Sequence, residues 1–479
     1  MIVCKFGGTS VASAEQIKKV ANIVKSNPER KIVAVSAPGK RSSDDIKVTD
    51  LLIDLANTVM MKGNVEEKIR AVVNRYRDIA DELGLDNLIS DIIEQDIRGR
   101  VAEEYNNKEL FLDNIKASGE DNNAKLIASY FNAIGMPAQY VSPKDKLILN
   151  DIPERTYALP EAYENLSVLK DTEEIVVFPG FFGYTKEGIL RTFDRGGSDI
   201  TGSILASAVG ADLYENFTDV DCVFAANPKV VNDPVDIKEI SYREMRELSY
   251  AGFSVFHDEA LMPVYKQGIP VNIKNTNNPT APGTRILPTR TQSNRPVTGI
   301  SADSGFSILY VSKYLMNREV GFGRKLLQII EEENISYEHT PSGLDDISVI
   351  MRSSQLSPEI EKRIIQRVKN ELCADDVHFS HNFSMIVIVG EGMRHNTGLA
   401  ARAAAAISGT GANIEMIKNF KPDIVVNATG SVPLVPAIPG LRENIAAGNV
   451  STIFDMINNL NAGKYPDDFY LDGMLYGEA

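Results

Sequence analysis

The 479-residue chain has no tryptophan, five histidines and three cysteines. Cys4, Cys222 and Cys373 are far apart and odd in number. They offer neither a disulfide framework nor a zinc spacing, and they suit a reducing cytoplasm. No stretch reaches the roughly 18 apolar residues of a membrane span. The first residues read as a strand, not a signal peptide, because Lys5 and Gly7-Gly8 interrupt the apolar run at once. There is no G-x-x-x-x-G-K-[ST] loop, no H-R-D loop with a D-F-G motif and no H-E-x-x-H helix. These absences exclude a P-loop enzyme and a protein kinase, and make a protein-held metal unexpected. Positive charge is also in deficit: the formal net charge is −15, which argues against a general partnership with nucleic acid or an anionic membrane.

Hydrophobic residues make up 43% of the chain and charged residues 24%, an ordinary balance for a protein that buries real cores. The length suits about three folding units. Short β-branched runs at residues 2–6, 31–36 and 174–178 read as buried strands. Between the first two, Ile17, Val20, Ala21 and Val24 recur at helical spacing, so an α/β unit with a mostly parallel sheet is expected. Residues 45–135 have a helical, charged pattern. From 277 to 296 five prolines and glycines mark a linker composition. Strand, helix and strand then follow at 307–311, 323–333 and 348–351, and a similar plan restarts with a strand at 384–389 and an Ala-rich helix at 398–408. That repetition suggests a tandem pair of small units.

Two glycine turns carry chemical promise. Lys5-Phe6-Gly7-Gly8-Thr9-Ser10-Val11 ends a strand, lets the backbone approach a ligand and offers Thr9 or Ser10 as a helix cap. A helix N-terminus there could seat a phosphate, with Lys5 supplying a full charge; an ordinary strand-to-helix turn reads the same way. Arg195-Gly196-Gly197-Ser198-Asp199 precedes an apolar helical stripe. A cap role explains Ser198 or Asp199, whereas an arginine beside two glycines suits a carboxylate or phosphate clamp. Thr218-Asp219-Val220-Asp221 closes a strand and fits either a nucleotide contact or a solvated turn. Ser118-Gly119-Glu120 reads as a helix opening, with Glu120 favoured by the dipole.

In this order these pieces, together with Ser36-Ala37 and Thr49, resemble the signatures of the aspartate kinases, over residues 1 to about 417. The resemblance implies an α/β amino acid kinase fold, its mostly parallel sheet flanked by helices, followed by two α+β ferredoxin-like ACT domains. The implied division is a catalytic domain at 1–285, a linker at 286–299, ACT domains at 300–378 and 379–417, and an atypical tail at 418–479. The implied activity is ATP-dependent phosphorylation of L-aspartate to 4-phospho-L-aspartate, the first step towards lysine, threonine and methionine. Another amino acid kinase, or a non-catalytic amino-acid-binding regulator on the same scaffold, are the alternatives.

Carried over from the family, Lys5 stabilises the transferring phosphoryl group and Asp199 holds that lysine. Arg195, Ser198, Ser36, Thr49 and Glu120 form the aspartate pocket. Lys5, Gly7, Gly8, Thr218, Asp219, Phe224 and Lys229 meet ATP, whose phosphates bring Mg²⁺; no protein-held metal, flavin or NAD is expected. Met316, Gly321, Phe322 and Gly323, with Tyr337 and Glu338 on a following strand, correspond to the effector region for lysine or threonine. A cytoplasmic homodimer or higher homo-oligomer, joined through the ACT domains, is implied. After Ile417 the sequence departs from the family. An Ala428-Thr429-Gly430 segment there resembles disulfide-reductase-type flavoenzymes, without the upstream G-x-G-x-x-G fold that such an enzyme needs.

Overall fold

The computed structural model describes residues 1–429 except 153–155, 195, 254, 257, 291–294, 411–413 and 420–423. It divides into two units, Met1–Phe224 with Asp236–Thr291, and Ala225–Val235 with Gln292–Ala479.

In the first unit, β1 (Ile2–Phe6) is buried along its whole length, the pattern of a central parallel strand covered on both faces. It runs beside β2 (Arg30–Val35), and α1 (Ala14–Lys25) crosses between them. Ile17, Val20, Ala21 and Val24 are the buried stripe of α1, as their spacing predicts. The cap is Ser13, not Thr9 or Ser10: its hydroxyl accepts from the Gln16 amide. Residues Gly8–Val11 instead make a 3₁₀ turn, and the Ser10 hydroxyl accepts from that of Thr276.

Four helices follow, α2 (Val48–Met60), α3 (Val65–Glu82), α4 (Asn87–Ala102) and α5 (Lys108–Ala133), filling the helical stretch expected at 45–135. Next come β3 (Ala138–Tyr140), α6 (Pro160–Ser167), β4 (Ile175–Pro179), the hairpin of β5 (Phe182–Tyr184) and β6 (Leu190–Thr192), α7 (Gly197–Val209) and β7 (Leu213–Thr218). The unit closes with β8 (Val223–Phe224), β9 (Asp236–Ile237), β10 (Glu239–Ser241), α8 (Tyr242–Tyr250), α9 (Leu261–Gln267), β11 (Val271–Asn275) and β12 (Thr284–Leu287).

The main sheet runs β10-β12-β11-β7-β1-β2-β4-β3. Every neighbouring pair is parallel except β11 with β12. The carboxyl ends of β1, β2, β4, β7 and β11 therefore share one edge, where ligands of open α/β sheets bind. One feature overturns the linker expected from 277: β12 lies inside that stretch and pairs with both β11 and β10. Pro282 and Pro288 stand just outside its ends, so they delimit the strand instead of abolishing it.

The second unit is built on an antiparallel sheet, β14 (Asp346–Arg352), β13 (Gly299–Ser312), β15 (Asp376–Val389), β17 (Ile424–Thr429) and β16 (Ile414–Asn419), in that spatial order. Helices α10 (Phe322–Glu332) and α11 (Pro358–Leu372) bury Leu326, Ile329, Ile330, Ile364 and Val368 with Leu309, Val311, Val349 and Met351 of the sheet. A third helix, α12 (Leu399–Gly409), follows β15. This helix-on-antiparallel-sheet layout is the α+β plan expected after the kinase fold.

The two modules share their longest strands. The first half of β13 pairs with residues 384–389 and its second half with 376–383 and with β14, the register shifting around Gly305. The boundary expected between residues 378 and 379 thus falls inside β15. The expected tail likewise begins within β16, and β17 takes the place between β15 and β16. Among the described residues no helix is long and apolar enough to cross a membrane.

Candidate active site

Lys5 is the fourth residue of β1 and is only 8% exposed. Its Nζ lies 2.5 Å from Oδ1 of Asp199. Asp199 stands in the first turn of α7, whose N-cap is Gly196 in the left-handed conformation (φ 59°) with no side-chain cap. The expectation that Ser198 or Asp199 caps the helix is therefore corrected. Gly196 makes the turn and frees both side chains for other work. The Asn216 amide of β7 donates to the same Asp199 oxygen at 2.7 Å, and the Tyr214 hydroxyl donates to the Asp199 carbonyl at 3.1 Å. Lys5 is thus pinned by a carboxylate that is itself pinned.

The double-glycine turn follows directly. Gly7 donates to the Phe217 carbonyl at 3.1 Å, and the Phe6 and Phe217 rings stack 4.7 Å apart beneath it. The Lys5 Nζ lies 3.4 Å from where a Gly7 side chain would begin. The Gly8 carbonyl accepts from Gly39 at 2.8 Å. A side chain on Gly39 would start 2.6 Å from the Gly8 carbonyl carbon, closer than carbon atoms approach, so glycine is required there. The loop after β2 is in this way laid backbone to backbone against the Gly7-Gly8 turn.

That loop leads from Ser36, half-buried, whose amide donates to the Phe6 carbonyl and whose carbonyl accepts from Asn123 at 2.6 Å. It ends at α2, with Thr49 half-buried in the first turn. Facing it is α5, and here the sequence reading needs correction. Ser118-Gly119-Glu120 does not open a helix but lies in the interior of one 26 residues long, so a helix dipole does not account for Glu120. Gly119 is a contact point, not a break: a side chain there would start 2.9 Å from Cβ of Ala37 and 3.1 Å from Cδ1 of Leu52.

Glu120 is 6% exposed, and its Oε2 is buried with no hydrogen-bond partner among the described residues. Burial pushes its carboxyl up to about 8, against the opposing pull of the Ala37 backbone N–H and of Lys116 and Lys47. An orphaned carboxylate oxygen in such a place is costly unless a cation arrives to meet it. Ser198, 8% exposed, sits one residue before Asp199 against Gly180 at the end of β4.

On the other side of β1, the Thr218–Asp221 turn ends β7. The Thr218 hydroxyl donates to the half-free Asp219 carboxylate at 3.2 Å, and Asn275 and Asn278 donate to Asp221 at 2.7 and 3.2 Å. Phe224 is half-buried on β8. Lys229 is exposed and belongs to the 225–235 segment of the second unit. Arg195 lies outside the described residues.

The first unit therefore brings Lys5, Gly7, Gly8, Ser36, Thr49, Glu120, Ser198, Asp199, Thr218 and Asp219 to the carboxyl ends of its parallel strands and the loops that follow them. Sequence reading missed Asn216, Asn123 and Gly39. The signal for Asn216 was present: Glu215 and Asn216 are consecutive polar residues, each under 5% exposed, inside a core strand. Glu215 is occupied by Arg30 at 2.6 Å, while Asn216 serves Asp199.

In the second unit, Met316 and Phe322 are buried core residues, and Gly321 takes φ 81° before α10. Gly323 is half-buried and Tyr337 exposed. The expected strand at Tyr337 and Glu338 is an irregular segment that runs along β14, with the Glu338 N–H donating to the Ile350 carbonyl and isolated bridges at His339 and Ser342. The Glu338 carboxylate accepts from Nε of Arg352 at 3.3 Å.

Comparison with known proteins shows the family to which the chain belongs. The model of the amino acid kinase family matches residues 1–275. Aspartokinase 3 of Bacillus subtilis is 53% identical over 425 residues, 88% of this chain and 94% of that protein. The crystal structure of Clostridium acetobutylicum aspartate kinase, described as an allosteric enzyme, superposes with a TM-score of 0.80 at 33% identity, covering 96% of this chain and all of that one. Aspartokinase III of E. coli in complex with aspartate and ADP shares the fold, with a TM-score of 0.75 at 21% identity over 96% of this chain and 99% of that one. From a lysine pinned beside a double-glycine turn to a match along most of its length, the chain belongs to the amino acid kinase family and, within it, to the aspartokinases.

Proposed function

We propose that the chain transfers the γ-phosphoryl group of magnesium-bound ATP to the side-chain carboxylate of L-aspartate, giving 4-phospho-L-aspartate and ADP. The observation that carries this reading is the buried Lys5–Asp199 pair at the end of β1, beside the Gly7-Gly8 turn. A carboxylate is already nucleophilic at neutral pH, so the reaction asks for no general base. It asks for two anions to be aligned and their charge neutralised.

Lys5 follows the phosphoryl group through transfer, and Asp199 keeps its ammonium aimed. Gly7 and Gly8 present backbone to the phosphates, and the side of the turn at Thr218, Asp219 and Phe224 takes the nucleotide, whose phosphates bring Mg²⁺. Ser36, Thr49 and Ser198 line the aspartate pocket, and Arg195 clamps the α-carboxylate. Glu120 receives the α-ammonium: its unpartnered, buried oxygen is the cation acceptor that such a substrate needs. The second unit supplies feedback control by an amino acid, lysine or threonine, through the region of Met316, Phe322, Gly323, Tyr337 and Glu338. A homodimer or higher homo-oligomer in the cytoplasm is the form that fits this regulation.

ADP release tests the reading. Turnover that depends on L-aspartate and is absent with L-glutamate supports it; a chain that is folded yet releases ADP equally with either acid, or with neither, refutes it.

A further inference from the structure

Two adjacent residues of α3, a helix with no residue in the proposed site, reach the elements that build that site. The Tyr76 hydroxyl, fully buried, donates at 2.7 Å to the carbonyl of Gly119, beside Glu120. Arg75 is 4% exposed, and its Nη2 donates to the Gly39 carbonyl at 2.6 Å and meets the Asp45 carboxylate at 2.9 Å. Asp45 is also tied to Arg41, through the backbone N–H at 2.8 Å and the guanidinium at 3.1 Å. Both ends of the loop between β2 and α2 are thereby held from below.

Stability alone is a poor reason for this cation. Nε and Nη1 of Arg75 are buried without partners among the described residues. Burying a guanidinium with unmatched donors costs more than a well-packed apolar residue would. The contacts that Arg75 does make lead to the chemistry. The Gly39 N–H supports the Gly8 carbonyl at 2.8 Å, and the Pro38 carbonyl accepts from Val48 at 3.0 Å, starting the turn of α2 that carries Thr49.

We propose that Arg75 is a positioning residue for phosphoryl transfer, fixing the 36–47 loop so that Gly8 on the ATP side and Ser36 and Thr49 on the aspartate side are set before either substrate arrives. This rests on the site assignment above. It also differs from a structural role in what it predicts, since one residue touching neither substrate governs the apparent affinity for both.

The full chain and its Arg75→Met, Arg75→Lys and Asp45→Asn variants are compared by steady-state kinetics and thermal unfolding. For Arg75→Met, kcat/KM falls by roughly tenfold or more for aspartate and for ATP, with both KM values raised, because misplaced substrates lose alignment. Arg75→Lys recovers part of the loss, since it keeps the charge and one contact. A folded Arg75→Met enzyme with both KM values within about twofold of the parent overturns the proposal, as that is the behaviour of a merely structural cation. Should Arg75→Met fail to fold, Asp45→Asn decides: both KM values raised by about threefold uphold the latch, and unchanged values defeat it. Aspartate-dependent turnover of the unmodified chain separately tests the site assignment, so the two failures are distinguishable.

Discussion

Lys5 and Glu120 are both buried ionisable side chains, but they meet the cost of burial differently. Lys5 has Asp199 at 2.5 Å, while Glu120 keeps an oxygen without a partner. Replacing Lys5 with Met removes the charge proposed to follow the phosphoryl group, and kcat should fall by about 10³-fold or more while the fold persists; near-normal kcat would remove Lys5 from the chemistry. For Glu120 the expectation is a pH effect. Its carboxyl is raised to about 8, and the ammonium of aspartate pairs only with the ionised form. The aspartate KM should therefore fall as pH rises towards 8, by up to about tenfold per unit, and then level off. In Glu120→Gln the KM should be high and nearly independent of pH.

The same residue has a stability signature of opposite sense. A carboxyl held above its ordinary value of 4.5 favours the folded state fully below that value, and the contribution is lost as pH rises through about 8. Unliganded Glu120→Gln should accordingly melt at a higher temperature than the parent at pH 9, with the gap closing towards pH 4.5.

Among elements, the parallel strands were the most readable part of the chain. Runs such as Ile2–Phe6, apolar but for Lys5, and Ile175–Pro179 are buried because both faces are covered, and their ends appeared within a residue or two of expectation. The failures share a cause. Gly119 looked like the start of a helix, yet α5 passes through it because Ala37 and Leu52 pack where a side chain would be. The prolines around β12 looked like a linker, yet they bracket a strand that pairs with its neighbour β11 and with β10, over 40 residues back in the chain. Similarly, β13 and β15 are each shared by two modules, which no local pattern announces. The glycine turns were legible because their pattern is local, whereas Asn216, Asn123 and Gly39 act on partners distant in sequence, Asp199, Ser36 and Gly8, and were missed.

Two element-level predictions follow from these contacts. Gly39→Ala should cost most of the activity with a modest loss of stability, because the new methyl group forces the loop away from Gly8; activity near the parent's would show that the close approach is unnecessary. Ending the chain at Asn419 removes β17 from between β15 and β16. The exposed edge of β15 should then drive association, seen as high-mass species in size-exclusion chromatography; an unchanged elution profile would contradict that role for β17.

For the whole molecule, catalysis is assigned to the first unit and control to the second. If lysine or threonine inhibits by coupling between two states, the effect on aspartate and ATP affinity should be reciprocal. Saturating substrates should weaken effector binding by the same factor, typically about 5- to 150-fold. The acyl phosphate that the first unit is proposed to make is the more direct subject, because it can be trapped as it forms. Purified chain is incubated with magnesium and ATP, L-aspartate or L-glutamate, and hydroxylamine, and the coloured iron complex of the hydroxamate is read. Aspartyl hydroxamate formed in step with ADP, with none from glutamate and almost none from Lys5→Met, is the expected result. Folded chain that yields no aspartyl hydroxamate would contradict the assignment at its root.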